Sequence, residues 1–179
     1  MSERLERFFT RLVSKSFWDL GIRDPELIGY IVKVLVEFAR TDKLYQIRDL
    51  KGKRLGTLVE MLAHREDIKK LERGSSRFWE YWLSKRIGDF ALFMTGLFQE
   101  YLRRWGFYEF YLESGKNSYI YASEIKPTFE YPPEKLLYEL GRNFELYHSA
   151  LYYMKKAYWG RGDEIDPFSE FASHLRWLM

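Results

Sequence analysis

One stretch of the sequence decides the fold. Residues 75–105 read SSRFWEYWLSKRIGDFALFMTGLFQEYLRRW. Their apolar side chains recur at helical spacing but cover more than one face, which is typical of a helix surrounded by other helices. Gly88 and Gly96 lie two turns apart on a shared face, where the missing side chains let a neighbouring helix approach closely. We therefore predict a central hydrophobic helix over about 75–105.

Helical patterns also fill the flanking sequence. Apolar residues at steps of three and four predict helices over residues 5–20, 25–41, 55–64, 133–154 and 167–179, with a short helix within 44–53. Asp24-Pro25 is typical of a helix start, because the aspartate caps exposed amides and the proline presets the first turn. A chain of 179 residues suits one domain. We predict an all-α fold in which residues 1–179 form a single domain, a bundle of six to eight helices.

The segment 107–126 is ambiguous. Its tyrosines and phenylalanines, with Glu-Ser-Gly-Lys-Asn at the centre, are typical of a β-hairpin. However, its apolar and small residues fall at helical spacing, whereas strand alternation would place Glu109 inside together with Phe107 and Tyr111. The pattern favours a helix, and whether the segment is a kinked helix or a hairpin stays open.

Composition excludes several classes of protein. The chain has no cysteine, which removes disulfide scaffolds, thiol nucleophiles, cysteine-bound zinc and iron–sulfur clusters. The net charge is only +3, and the basic pairs are dispersed rather than gathered on one face as nucleic-acid binding requires. Phosphate-loop, dinucleotide-binding, nucleophile-elbow and His-Glu-x-x-His motifs are also missing. Nucleic acid is therefore not an expected partner, and the 19% of aromatic residues are assigned first to a helical core.

The sequence predicts a cytoplasmic protein with no membrane partner. Its longest apolar run, residues 87–98, spans twelve positions and contains Asp89, whereas a membrane-spanning helix needs about twenty apolar residues. The first residues are charged and amphipathic, unlike the apolar core of a secretory signal. The charged fraction of 31%, together with the absence of cysteine, is typical of a thermophile.

The three histidines suggest a candidate metal site. Each has a glutamate one helical turn upstream: the pairs are Glu145–His148, Glu60–His64 and Glu170–His174. Such spacings put both side chains on one helix face, as a metal ion requires. Di-iron bundles use two Glu-x-x-His helices and two further glutamates, whereas this chain has a single such motif, Glu145 to His148. Surface pairs or a hydrogen-bonded core histidine explain the pattern as well, so no cofactor is predicted, and iron, manganese or zinc at this motif is the alternative.

Asp89 is the second candidate, because it stands inside the most apolar run of the chain. A buried carboxylate without a partner is strongly destabilising, so we predict that Asp89 is paired with Lys85, Arg86 or an arginine such as Arg40 or Arg48. The candidate site is thus a buried polar pair or pocket of Asp89, Arg86 and Arg48. A structural ion pair is one interpretation. A functional acid at the floor of an aromatic pocket is the other, and no catalytic residue is assigned.

Three segments together resemble a family of uncharacterised bacterial proteins. They read FARTDKLYQIRD (38–49), RIGDFALFMTGLF (86–98) and GKNSYIYASE (115–124). The family carries no assigned activity, cofactor or partner, so the resemblance transfers no functional residue. It favours a helix for 107–126 and marks four positions of interest, which are Arg48, Arg86, Asp89 and Tyr119.

Function is predicted only by class. The expectation is a non-catalytic helical interaction or small-molecule-binding module, and the alternative is a metal-dependent helical-bundle enzyme that uses Glu145 and His148. A homodimer is also expected, because the apolar C-terminal residues need a surface to pack against, in the same chain or in a second copy. These residues are Phe168, Phe171, Leu175, Trp177 and Leu178.

Overall fold

The computed structural model describes residues 2–40, 58–71 and 76–158. Within these ranges the chain forms eight α-helices and no strand, so the all-α prediction is confirmed. The helices are α1 (Ser2–Asp19), α2 (Pro25–Ala39), α3 (Leu58–Lys69), α4 (Ser76–Leu97), α5 (Gln99–Arg104), α6 (Tyr108–Ile125), α7 (Glu134–Arg142) and α8 (Phe144–Tyr158). None of these described helices has the length and hydropathy that crossing a membrane requires. The predicted helices within 44–53 and 167–179 lie outside the described residues. The apolar C-terminal residues on which the predicted homodimer rests lie outside them as well.

The corner between α1 and α2 follows the predicted capping chemistry. Gly21 adopts the left-handed conformation, with φ of +78°, which a glycine reaches without steric cost. Asp24 Oδ1 then accepts hydrogen bonds from the backbone amides of Glu26 (3.0 Å) and Leu27 (3.4 Å). Pro25 opens the helix, as predicted. This corner folds α2 back against α1 and places the buried face of α2 beside the centre of the bundle.

The central position of α4 is confirmed. It contacts α2, α3, α5, α6 and α8, and almost every side chain from its second turn onward is buried. A Cβ atom added at Gly88 would lie 2.6 Å from the Tyr119 ring of α6, and one added at Gly96 would lie 2.7 Å from Leu151 Cβ of α8. The two glycines therefore admit two different helices, α6 and α8, rather than a single neighbour.

Two predicted helices are each divided in the structure. The helix expected over 75–105 ends at Leu97, because Phe98 leaves the helical region (φ −122°, ψ 34°). Nearby, the Thr95 hydroxyl donates to the Ala91 carbonyl at 2.7 Å, a type of bond that often bends helices. The helix expected over 133–154 divides at Asn143, whose side-chain amide donates to Glu139 Oε1 at 2.8 Å.

The ambiguous segment 107–126 is helical, as favoured, and forms α6. Gly115, at the centre of the hairpin-like sequence, is a packing glycine rather than a turn glycine. A Cβ atom there would lie 2.5 Å from the Phe144 ring and 2.8 Å from Ala91 Cβ. The glycine therefore lets α6 pack closely against α4 and α8, which is how α6 reaches the candidate site.

Candidate functional site

Asp89 lies in the middle of α4 and is completely buried. Its Oδ1 atom accepts hydrogen bonds from the hydroxyls of Tyr30 and Tyr119, each at 2.7 Å. Its Oδ2 atom accepts a hydrogen bond from the Lys85 ammonium at 3.1 Å, and the two charged groups form an ion pair. One carboxylate thus joins α2, α4 and α6 through three donors, which we call the Asp89 cluster: Asp89, Tyr30, Tyr119 and Lys85.

Local sequence explains how these groups meet. Lys85 precedes Asp89 by four residues, so the two side chains lie on the same face of α4. Gly88 leaves room for the Tyr119 ring against the α4 backbone, which brings the tyrosine hydroxyl to the carboxylate. Tyr30 belongs to the buried face of α2, where a hydroxyl needs a polar partner.

The tyrosines of the cluster are held as hydrogen-bond donors. Burial raises the pKa of both Tyr30 and Tyr119 well above its ordinary value, and the negative charge of Asp89 acts in the same direction. Tyr81 extends this polar region. Burial, with the charges of Glu130 and Asp89, raises the pKa of Tyr81 to about 12, and its buried hydroxyl has no hydrogen-bond partner among the described residues.

A small crevice leads to the Asp89 cluster. Its volume is about 40 Å³, and it is lined by Tyr30, Lys33, Val34, Glu37, Lys85, Asp89, Tyr131 and Pro132. These residues come from α2, from α4 and from the loop that precedes α7. The Tyr131 ring lies 6.2 Å from the Tyr30 ring, and the Lys33 ammonium lies over the Tyr131 ring at 5.1 Å. The crevice therefore combines two aromatic rings with two lysines and two carboxylates.

The other residues of the predicted polar site lie differently. Arg86 forms an ion pair with Glu37 (Nη1 to Oε2, 3.1 Å) and its guanidinium stacks on the Phe38 ring at 4.3 Å. It therefore contributes to the crevice through Glu37, while Lys85 supplies the ammonium for Asp89. Arg48 lies outside the described residues.

The predicted metal ligands Glu145 and His148 occupy contrasting environments. The Glu145 side chain is 63% exposed and pairs with Lys116 at 2.9 Å, which lowers the pKa of the glutamate. His148 is only 3% exposed, and its Nε2 atom shares a hydrogen bond with the Tyr108 hydroxyl at 3.3 Å. Burial lowers the pKa of His148 to about 4. In the described part of the chain, no three histidine, aspartate or glutamate side chains are grouped so that they could hold a metal ion.

Sequence reasoning missed part of the Asp89 cluster. Lys85 was among the predicted partners, and Tyr119 was marked only by the family resemblance. Tyr30 was not identified, although it stands inside the apolar stripe of α2, where a buried hydroxyl signals a polar contact elsewhere in the core.

Comparison of the chain with protein-family models, with curated proteins and with solved structures gives no match. The resemblance to uncharacterised bacterial proteins therefore stays a prediction. The interpretation of function rests on the geometry of the described residues.

Proposed function

We propose that the protein is a non-catalytic binding module, and that the crevice beside Asp89 accepts a small polar molecule. The observation that carries the proposal is that a solvent-facing crevice leads to a buried polar cluster built from three helices. Ligand sites are typically concave and place a few polar groups where they converge. The crevice beside the Asp89 cluster has this arrangement on a small scale, with a volume of about 40 Å³.

The hydrogen bonds of the cluster favour binding over proton transfer. Both oxygens of Asp89 already accept hydrogen bonds, two from tyrosine hydroxyls and one from Lys85. The two tyrosines resist deprotonation because burial raises their pKa. A general base needs an available lone pair directed at its substrate, whereas three of the roughly four lone-pair sites of the Asp89 carboxylate accept hydrogen bonds from Tyr30, Tyr119 and Lys85. The arrangement is therefore better suited to holding a ligand than to reacting with it.

The alternative, a metal-dependent enzyme that uses Glu145 and His148, draws no support from the described geometry. Glu145 faces Lys116 at the surface, while His148 points into the core beside Tyr108. The cytoplasmic location stays a prediction as well.

The test is a binding survey by NMR on the full chain. Isotope-labelled protein is titrated with small polar molecules of three kinds: anions, cations and neutral compounds. We expect at least one kind to shift the amide signals of Lys33, Lys85 and Tyr131 in a saturable way. Replacing the lining residue in Tyr131→Ala should weaken that binding, because the ring forms one wall of the crevice.

The matched control is Tyr138→Ala. Tyr138 is a tyrosine of similar exposure, 45% against 48% for Tyr131, but it lies on α7 and does not line the crevice. Tyr138→Ala should leave the titration unchanged. The proposal is wrong if no compound shifts the crevice signals, or if both variants bind as the unaltered protein does.

A further inference from the structure

We propose that residues 127–132 form a lid over the crevice, and that lifting this lid adds the hydroxyl of Tyr81 to the groups that a ligand reaches. The inference rests on the proposed binding function, and it adds how a ligand enters and where the site extends. It follows from the course of the lid along α4, from the contacts that hold the lid and from one buried hydroxyl beneath it.

The lid follows one face of α4. Three side chains of α4 are spaced four residues apart and share this face: Tyr81, Lys85 and Asp89. Three consecutive lid residues accompany them in the same order. The charge of Glu130 acts on the hydroxyl of the first, the hydroxyl of Tyr131 feels the charge of the second, and Pro132 lines the crevice together with the third. The lid therefore covers two turns of the helix.

Ring contacts attach the lid to the helices. The Tyr131 ring lies 6.2 Å from the Tyr30 ring and 5.1 Å from the Lys33 ammonium, both on α2. The hydrogen bonds that the lid forms within the described chain reach no helix other than the end of α6 next to it. One of them joins the Glu130 amide to the Pro127 carbonyl at 3.2 Å. Ring contacts are individually weak, so the lid separates from α2 and α4 without breaking a hydrogen bond.

The sequence of the lid suits movement as a unit. Prolines at both ends, Pro127 and the pair Pro132 and Pro133, restrict the backbone. Phe129, in the turn of the lid, is 100% exposed, so opening costs no burial of this side chain. We therefore expect the lid to lift from α2 and α4 as one segment.

The closed crevice is too small for most ligands. Its volume of about 40 Å³ corresponds to about three water-sized positions, whereas sites for small molecules usually measure about 300 Å³ or more. Two of the lining residues, Tyr131 and Pro132, belong to the lid. Lifting the lid therefore removes one wall and opens the crevice along α4.

A polar group without a partner lies on the covered face. Tyr81 is 2% exposed, and its hydroxyl has no hydrogen-bond partner among the described residues. A buried hydroxyl in this state is unfavourable and rare in folded proteins. Once the lid lifts, this hydroxyl faces the same opening as Lys85 and Asp89, where a bound molecule supplies the missing partner.

The experiment measures how fast a buried cysteine reacts with a neutral pyridyl disulfide, a reagent larger than the closed crevice. The chain has no cysteine of its own, so Val34→Cys, at a position that lines the crevice, is the only reactive thiol. Val32→Cys is the matched control, because both valines are buried in α2, at 3% and 5% exposure, and Val32 does not line the crevice.

We expect the thiol of Val34→Cys to react at least about a hundredfold faster than that of Val32→Cys, because local opening requires less free energy than global unfolding. Low concentrations of urea should hardly change the first rate and should raise the second steeply, since only global unfolding exposes a large surface. This difference in urea dependence identifies local opening even if either substitution lowers stability.

Tyr131→Ala, added to Val34→Cys, tests the contact that closes the lid. It should speed the reaction about tenfold, because it removes both ring contacts to α2. Tyr138→Ala, which removes an exposed tyrosine of α7 outside the crevice, should leave the rate unchanged.

Tyr81→Phe tests the buried hydroxyl. Because it removes only a hydroxyl without a partner, the urea midpoint should stay unchanged or rise. Tyr119→Phe, which deletes a hydroxyl that donates to Asp89, should lower the midpoint. A midpoint that falls in both variants would mean that the Tyr81 hydroxyl already has a partner, and it would overturn the extension of the site.

Two further outcomes overturn the lid. If Val34→Cys and Val32→Cys react equally fast and with the same steep urea dependence, the crevice opens only when the whole protein unfolds. If Tyr131→Ala and Tyr138→Ala change the rate equally, residues 127–132 do not control access. These reactions need no ligand, so their failure is distinct from that of the proposed function, which fails if no compound binds in the NMR survey.

Discussion

Asp89 and His148 are two ionisable side chains buried in the same bundle, and they are accommodated in opposite ways. Asp89 is 0% exposed and receives hydrogen bonds from three donors on three helices. His148 is 3% exposed and shares one hydrogen bond, with Tyr108, while its buried Nδ1 atom has no partner among the described residues. Of these two buried groups, the charged one is thus held by three donors, whereas the one with a single hydrogen bond has its charged form disfavoured by burial, which lowers its pKa.

The charges next to the two residues also differ. Asp89 has an opposite charge directly beside it, on Lys85. Burial lowers the pKa of His148, the negative charge of Glu145 opposes this shift in part, and the positive charge of Arg103 adds to it. A fully satisfied polar network rigidifies a core, and removing one of its members leaves the others buried without partners, which is strongly destabilising. We therefore expect the stability of the fold to depend more strongly on Asp89 than on His148.

Removal of the Asp89 carboxylate should give the largest effect. In Asp89→Leu, two buried tyrosine hydroxyls and one ammonium lose their acceptor. We expect the free energy of unfolding to fall by about 3–5 kcal/mol, the range for breaking a buried ion pair. The measurement is chemical denaturation followed by circular dichroism.

Asp67→Leu is the control for this change. Asp67 is 64% exposed on α3, and its ion pair with Lys70 spans 3.9 Å. Substitutions at such sites usually change stability by less than about 0.5 kcal/mol. An unchanged melting temperature in Asp89→Leu would show that the cluster contributes nothing to stability.

The free energy of unfolding should fall in acid because of His148. The unfolded histidine binds a proton near pH 6.5, whereas the folded one does so only near pH 4, because burial disfavours its charged form. Between these values the unfolded state holds more protons, so stability falls as pH falls. The loss from this group approaches about 3 kcal/mol below pH 4.

The variant His148→Gln isolates that contribution. A glutamine does not titrate, so the variant should lose less stability than the unaltered protein between pH 6.5 and 4, whatever its stability at neutral pH. Denaturation curves at several pH values give this slope for both proteins. Equal slopes would mean that His148 takes up its proton as easily in the folded state as in the unfolded one.

Periodicity predicted the all-α fold and the central position of α4 because apolar spacing reports directly which faces are buried. It did not predict the divisions at Phe98 and Asn143, since a break depends on the backbone of a single residue and on local hydrogen bonds such as that of Thr95. The apolar surroundings of Asp89 likewise predicted its burial and the need for a partner.

The identity of partners distant in the sequence was beyond such reasoning. Tyr30 meets Asp89 across 59 positions, and nothing in the local sequence fixes which helices bring the two together. For Glu145 and His148, a spacing of three indicates neighbouring positions on one helix face. It does not indicate that the edge of the buried face passes between them, so that one side chain is exposed and the other is buried.

The sharpest form of the comparison removes one tyrosine hydroxyl from each site. Tyr119→Phe deletes a donor to a carboxylate and should lower the free energy of unfolding by about 1.5–3 kcal/mol, the range for hydrogen bonds to charged groups. Tyr108→Phe deletes a longer bond to a neutral ring, and it keeps the aromatic face that lies 3.7 Å from the Arg103 guanidinium. Its effect should stay below about 1 kcal/mol.

A double-mutant cycle assigns the larger effect to the right contact. Once Asp89→Leu has removed the acceptor, the Tyr119 hydroxyl is a buried donor with nothing to bond, so deleting it should cost nothing or restore some stability. The two changes must therefore be strongly non-additive. If Tyr119→Phe costs as much in the Asp89→Leu background as it does alone, the Tyr119 hydroxyl stabilises the core through a contact other than its hydrogen bond to Asp89.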